Sequence, residues 1–507
     1  MTVAAGTIEA SLTPTSPRRT WARSRFVLPT LLLLGLALRL VALSIPSIHH
    51  PDEIFQYLEP AHRLVFGRGV VTWEWRYGMR NWFIPLPVAG LMQFATWIAP
   101  QTDLYLLLPK FAMTVVSLIT VTTGWHLGAR LSSRHAVIGA FVGATWWEFV
   151  YFAPHVLSET VSVAFILPAA LLLTDRSCWT PRRLAAAGAL LALAGVARFQ
   201  YLPAIATLAL CCCAPRLKEC WRPLVLGAIL ALVPAALMDA AMGQVPFAWL
   251  FTNIRLNLVA NRAAYYGVGG PADYLVDLLV AWHLWIAPIV VLAWFGARRH
   301  PALACTALVN IAFHMAIAHK EYRFILLSST LLILLAAIGS GEVIDWIQRS
   351  RDAGTARRIS GIVIAGWLLA SASLAGAAAQ RGDWTRSHAD LQFYARLHHD
   401  PALCGFAIYR RSLAQSGGYT YLHRPVAIQY FRSSFPALPR AAAEKASLYN
   451  TVIVSARDAR YLPPTFRPLE CKGESDDRVC LYRRPGPCAV DPASPYEINA
   501  VLRHFDQ

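Results

Sequence analysis

FVLPTLLLLGLALRLVALSI, residues 26–45, is followed closely by HHPDEIFQYLE, residues 49–59. The first run is apolar over a length that matches the hydrocarbon core of a bilayer. Arg18, Arg19, Arg23 and Arg25 precede it and no small-residue cleavage site follows. It therefore reads as a retained signal anchor whose N-terminal side is cytosolic. The second stretch then emerges on the far side of the membrane. Pro51 suits the first position of a helix, where its missing N–H costs nothing. Asp52 and Glu53 fall in the first turn, where the helix dipole favours an ionised carboxylate. Asp52, Gln56 and Glu59, spaced i, i+4 and i+7, are expected on one face. Three carboxylates, two histidines and an amide beside a bilayer point to a site for chemistry. The simpler alternative is an acidic first turn that steadies a surface helix by ~0.3–1 kcal/mol.

Working outward, composition agrees with a membrane protein. The 507 residues are 56% hydrophobic and 15% charged, against about 25% charged in a soluble globular chain. The net charge of +17 would suggest a polyanion partner in a soluble protein. Here the arginines cluster between apolar runs, which the positive-inside rule explains without nucleic acid. Six of the ten cysteines (178, 211, 212, 213, 220 and 305) lie in or beside apolar segments without metal spacing, and read as filler. Cys404, Cys471, Cys480 and Cys488 fit up to two disulfides in an oxidising compartment, with three pairings open.

Basic residues set the expected topology. Arg130 and Arg134, then Arg176, Arg182 and Arg183, then Arg216, Lys218 and Arg222, then Arg298 and Arg299, and last Arg349–Arg358 interrupt the apolar runs. Placing every cluster on the cytosolic side gives about eleven spans. Among these are Ala136–Phe152, Leu184–Val196, and Tyr201–Cys213 followed by Leu224–Met242; Asn81–Ala99 is apolar but short and holds Pro85 and Pro87, so it reads as juxtamembrane or re-entrant. Asp239 is read as the one acidic residue well inside a span. The chain is thus expected to be an all-α polytopic membrane protein with a small C-terminal α/β domain. Residues 1–25 form a cytosolic disordered basic tail, 26–379 the transmembrane catalytic domain with a first outer loop at 46–103, and 380–507 an extracytosolic soluble domain. In the last, Ser387–Leu397 reads as a helix, Val426–Tyr430 and Thr451–Ser455 as strands, and Gly417-Gly418 as a turn.

Four clusters fall on the outer surface. Beside the opening stretch stands Thr72-Trp73-Glu74-Trp75-Arg76-Tyr77-Gly78-Met79-Arg80, where indoles and a carboxylate suit a sugar; an interfacial aromatic belt is the alternative. Arg198-Phe199-Gln200-Tyr201 puts a lone arginine at an outer edge, where it needs a partner. His319-Lys320-Glu321-Tyr322-Arg323-Phe324 packs ionisable groups at a membrane edge, which marks a functional candidate. Lys320 and Arg323 have the chemistry to hold a lipid phosphate, with Glu321 positioning either cation. His49, His50, Asp52, Glu53 and His62 are permissible metal ligands, but their spacing matches no zinc pattern.

In order, His50-Pro51-Asp52-Glu53, Phe55-Gln56, Glu59, His62, Thr72-Trp73-Glu74-Trp75, Gly78, Arg80 and His319–Phe324 resemble the GPI/ALG mannosyltransferases, family 22 of the GT-C glycosyltransferases. The likeness covers most of residues 26–340, and Gly418-Tyr419-Thr420-Tyr421-Leu422-His423-Arg424-Pro425 resembles a segment near that family's end. It implies a GT-C fold and inverting transfer of mannose from a polyprenyl-phosphate, dolichol-phosphate-like donor, with no nucleotide sugar. The acceptor would be a glycan or glycolipid on the extracytosolic side. The physical needs of that reaction assign Asp52 as general base, with Glu53 as its rival. Lys320, Arg323, Arg198 and His319 would hold the donor phosphate. Gln56, Glu59, Trp73, Glu74, Trp75 and Arg80 would hold the acceptor or sugar, with Glu321 and His50 in support. No cofactor is expected, although a divalent ion stays open. The membrane is read as a bacterial inner membrane with a periplasmic site, or else the endoplasmic reticulum with a lumenal one. Transfer of another lipid-linked sugar (arabinose or aminoarabinose) and a lipid-linked sugar flippase are the competing readings.

Overall fold

An apolar run in hydrocarbon must satisfy its backbone internally, so such runs become helices. The computed structural model describes residues 26–349, 353–432, 438–473 and 478–505; the expected basic tail lies outside these. Among the described residues five helical segments are long and apolar enough to cross a membrane: Leu104–Ala129, Phe199–Ala241, Asp273–Ala297, Tyr322–Gln348 and Arg358–Gln380. The shorter apolar helices Val27–Leu43, Ser158–Thr174 and Pro301–Met315 accompany them. Ala136–Phe152 is divided into helices Ser133–Thr145 and Trp147–Tyr151, and Leu184–Val196 lies within Pro181–Ala197. Pro85–Ile98 is a separate 14-residue helix.

The basic residues gather at one end of this bundle. Arg130 donates to Thr174 Oγ1 and the Leu171 carbonyl, and Arg176 to the Cys211 and Cys212 carbonyls, so they cap helix C-termini. Arg134 pairs with Asp345 and Arg299 with Glu342 at the same end. Tyr322–Gln348 is the hub: 89% of its most apolar window is buried, against 17–39% for the other four long segments. It can be central because Gly339 meets the backbone of Leu292 and Gly296 meets that of Leu335, where any Cβ would collide.

The first loop opens in a wide turn. Glu53–Leu58 is π-helical, and the Glu59 N–H bonds back to the Ile54 carbonyl. Pro60 is the cause: it has no N–H for the Gln56 carbonyl and its ring crowds that oxygen, so the turn before it widens. An ordinary helix resumes over Glu59–Phe66 and ends at Gly67, whose φ of 75° favours glycine.

The C-terminal region begins with helix His388–His398 and holds five strands: β1 (Phe406–Tyr409), β2 (Ile428–Phe431), β3 (Thr451–Ser455), β4 (Arg467–Lys472) and β5 (Val479–Arg483). Their order is β2-β1-β3-β5-β4. β1 runs parallel to β2 and β3, while β5 is antiparallel to β3 and β4. β2 begins two residues later than the strand expected there. Disulfides join Cys404 to Cys488 and Cys471 to Cys480, the latter across paired β4 and β5.

This region does not have a core to itself. Alternation along β1 sends Ala407 and Tyr409 to a core on one face of the sheet. Phe406 and Ile408 face the other way, into a core shared with Ile54, Phe55 and Leu58 of the first loop. A polar contact crosses the same boundary. The buried Glu59 carboxylate accepts the Thr420 N–H at 2.6 Å and the Val70 N–H, and sits where a Cβ on Gly418 would lie. The expected turn at Gly417-Gly418 is therefore the start of helix Gly418–Leu422, with Gly418 at φ +58°.

Burial lifts the Glu59 carboxyl from 4.5 to about 7, against the Val70 and Thr420 amides that hold it down. A pKa raised on folding gives stability that is complete below the unfolded value and lost as pH rises through the folded one, at ~1.4 kcal/mol per unit. Measured relative to Glu59→Gln, the thermal midpoint of the parent should therefore fall between pH ~4.5 and ~7. A difference between the two melts that does not change with pH over that range would remove Glu59 as a source of pH dependence.

Candidate active site

Asp52 stands at the mouth of the wide turn with its side chain 21% exposed. Arg323 Nη2 donates to its Oδ2 at 2.8 Å, His50 Nδ1 lies 3.5 Å from Oδ1, and Arg80 Nη2 lies 4.0 Å from Oδ2. Burial alone would raise the Asp52 carboxyl. Arg323, with His50 and Arg80, outweighs it and holds the group well below the usual carboxylate range.

Arg323 serves three carboxylates. Besides Asp52, it donates from Nη1 to Glu159 Oε1 at 2.9 Å and from Nε to Glu321 Oε2 at 2.5 Å. Its side chain is 3% exposed. Glu159, fully buried at the start of helix Ser158–Thr174, also takes Arg198 Nη1 at 2.9 Å. Arg198 in turn lies over the Phe324 ring at 4.6 Å. Glu321 gathers His319 Nε2 at 2.7 Å and His50 Nε2 at 3.2 Å. Burial would raise Glu321, but Arg323 and His319 bring it down to about 2. The hydrogen bond to Glu321 raises His319.

A second set flanks Asp52. Arg80 Nη2 donates to Glu74 Oε1 at 2.6 Å, and Gln56 Nε2 donates to Glu74 Oε2. Burial pushes Glu74 up despite Arg80. Beside them opens a small polar cleft lined by Gln56, Arg80, Asn81, Ser158, Arg198, Gln200, Trp249 and Asn253, among others. Gln56 Oε1, Arg80 Nε and Arg198 Nε are buried with no hydrogen-bond partner among the described residues. A hydroxyl-rich ligand would satisfy such groups, which are costly when left unpaired.

Not every residue expected at the site is placed there. Glu59 leaves the Asp52–Gln56 face because the π turn holds i and i+4 in line but rotates i+7 away. Glu53 is fully buried between Lys110 Nζ at 3.3 Å and His155 Nδ1 at 2.7 Å. Burial would raise it, yet His155 and Lys110 hold it near 2. Lys320 turns its Nζ to the His314, Met315 and Ile317 carbonyls, capping the Pro301–Met315 helix. Trp75 packs on Trp82 with ring centroids 4.9 Å apart. Trp73 donates from its indole N–H to Tyr266 at 2.5 Å. The permissible ligands of the opening stretch also diverge: His49 meets Tyr151, while His62 meets His423.

Glu159 is the central residue that sequence reading misses, though an acid next to a span start was a usable signal. Glu148 is a second. It lies inside the expected span Ala136–Phe152, so Asp239 is not the only intramembrane acid. Glu148 accepts from Tyr322, Trp146 and Trp282; Asp239 takes the Trp249 indole and the Phe247 N–H.

The description "Alg9-like mannosyltransferase family" matches residues 30–388. GPI mannosyltransferase 3 of Yarrowia lipolytica is 26% identical over 316 residues, 56% of this chain and 56% of that one. GPI alpha-1,2-mannosyltransferase 3 of Danio rerio is 25% identical over 294 residues, 54% and 52% of the two chains. The chain thus spans about half the length of the curated relatives it matches. The structure of ArnT from Cupriavidus metallidurans bound to undecaprenyl phosphate superposes with a TM-score of 0.56 and 12% identity, over 90% of this chain and 98% of ArnT. At that identity the likeness is one of fold: a mostly helical GT-C architecture with a small C-terminal sheet.

Glu159→Gln should lower the thermal midpoint markedly. Removing the carboxylate shared by two buried guanidinium groups costs ~3–5 kcal/mol. An unchanged melt would mean that Asp52 and Glu321 alone hold Arg323.

Proposed function

This chain belongs to the Alg9-like mannosyltransferase family, and we propose that it transfers mannose from a polyprenyl-phosphate donor to a glycolipid acceptor on the extracytosolic side, with inversion. The observation that carries this reading is Arg323, held between Asp52 and Glu159 beside the polar cavity. The acceptor hydroxyl gives its proton to the Asp52 carboxylate as its oxygen attacks the anomeric carbon. The bond from that carbon to the phosphate oxygen breaks, and its electron pair leaves on the lipid phosphate. That leaving group is already an anion, so no general acid is needed. Arg323 and Arg198 supply the opposing charge in a site largely closed to water.

Arg323 also explains how a strongly ionised Asp52 can act as a base. In the resting arrangement the guanidinium neutralises the carboxylate and depresses its affinity for a proton. A donor phosphate competes for the same N–H groups. As Arg323 turns to the phosphate, Asp52 loses part of its counter-charge and becomes more basic. Base and electrophile are then armed by one event, substrate entry. Gln56, Glu74 and Arg80 are assigned to the acceptor hydroxyls. His319 acts through Glu321, and Lys320 and Glu59 act through the fold.

The polyprenyl carrier is supported by the undecaprenyl phosphate bound to ArnT, whose fold this chain shares. Transfer of aminoarabinose or arabinose is the second reading, and the donor sugar decides between the two. Purified protein supplied with polyprenyl-phosphate [³H]mannose and glycolipid acceptors should form labelled product. Asp52→Asn should cut the rate by ~10²–10⁴-fold in a protein that still folds, with a lower melting temperature because Arg323 loses one of its three carboxylates. Glu53→Gln should lower stability, because Lys110 loses its buried partner, without that loss of rate in the protein that remains folded. Near-parent transfer by Asp52→Asn would overturn the base assignment. Movement of labelled lipid across a vesicle membrane without any transfer would replace the enzyme by a flippase.

A further inference from the structure

Away from the active site, Asp103, His398 and His399 bring one ligand atom each within 4.8 Å of one another, the one such trio among the described residues. Asp103 is the N-cap residue of helix Leu104–Val116, yet its carboxylate makes no capping hydrogen bond. His398 ends helix His388–His398 and His399 follows as its C-cap. Asp103 Oδ1 lies 3.8 Å from His398 Nε2, and Oδ2 lies 3.8 Å from His399 Nε2.

Those two distances are too long for hydrogen bonds. They suit a third atom placed between the groups. Ligands bonded at ~2.0–2.1 Å to a tetrahedral ion sit about 3.3 Å from one another, a few tenths of an ångström closer than here. The two imidazoles meet edge to face, with centroids 4.3 Å apart and planes at 74°, so each presents its own Nε2 to the carboxylate. His398 Nδ1 is buried without a hydrogen-bond partner among the described residues.

We propose that Asp103, His398 and His399 bind one divalent transition-metal ion of the zinc class. Two imidazoles and one carboxylate favour such an ion over calcium or magnesium, which prefer all-oxygen sets. Water completes the fourth position. The site ties the C-terminal domain to the helix that leaves the first loop, two residues before Tyr105, whose hydroxyl donates to the Thr420 carbonyl at 2.6 Å. It shares no residue with the Asp52 site, and its role is to clamp the two parts together.

Cobalt(II) titration of tag-free, chelator-stripped, full-length protein in detergent tests this. The expected result is one ion per chain, the visible absorption of tetrahedral cobalt, and a raised thermal midpoint. Asp103→Asn and His399→Ala, whose parent side chains are 48% and 58% exposed, should melt like the metal-free parent. Each should weaken binding by about tenfold or more. Failure of the parent to bind a stoichiometric ion would overturn the proposal, as would parent-like binding by both variants.

Discussion

One guanidinium carries the architecture of the site. Arg323 is 3% exposed and receives three carboxylates from three separate parts of the chain: Asp52 of the first loop, Glu159 at the head of a buried helix, and Glu321 two residues before it. An uncompensated charge at that depth would be prohibitive, and so would three unpaired carboxylates. Each element is therefore held by the requirement that the others be present. Tyr322–Gln348, the most enclosed long helix, begins at this cluster. Its glycine-mediated contacts with the neighbouring helix fix where the guanidinium stands, and through it where Asp52 stands.

Much of this was legible in the residues. Apolar length located the long helices, and the spacing of basic residues located the end of the bundle where they gather. Ionisable density at membrane edges marks Asp52, Arg323, Arg198, Glu321, His50 and His319, and the structure brings them together. The failures have specific causes. The i, i+4, i+7 rule assumes 3.6 residues per turn, and Pro60 forces a wider turn that carries Glu59 elsewhere. Lys320 carries the same charge as Arg323, but its flexible stem finds carbonyls of the helix just ended. Glu159 and Glu148 escaped because a hydropathy reading averages one acid into an apolar run. β1, β4 and β5 escaped because short strands between loops give little periodicity.

The C-terminal domain is the point where composition and structure differ most in meaning. A drop in hydropathy after residue 379 suggests an appended module, and the two disulfides fit a small domain in an oxidising compartment. Yet one face of its sheet completes the core of the first loop. The loop's own hydrophobic side chains would otherwise lie against water. Phe406 and Ile408 on one side of β1, and Ala407 and Tyr409 on the other, show a strand serving two cores at once.

That sharing has a consequence for chemistry. The base proposed above needs its carboxylate held within hydrogen-bond reach of the hydroxyl it would deprotonate, and a loop at a membrane surface is a poor place to hold one. Asp52 begins a wide turn whose next residues, Ile54, Phe55 and Leu58, are locked into the sheet's core. One residue on, Glu59 is gripped by the Thr420 and Val70 N–H groups and fills the space that a Cβ on Gly418 would need. Arg323 at the head of the buried helix fixes the Asp52 carboxylate, while the C-terminal domain packs on the turn that follows it. The domain thus acts on the site from outside it, as the rigid wall against which the first loop sets its acid.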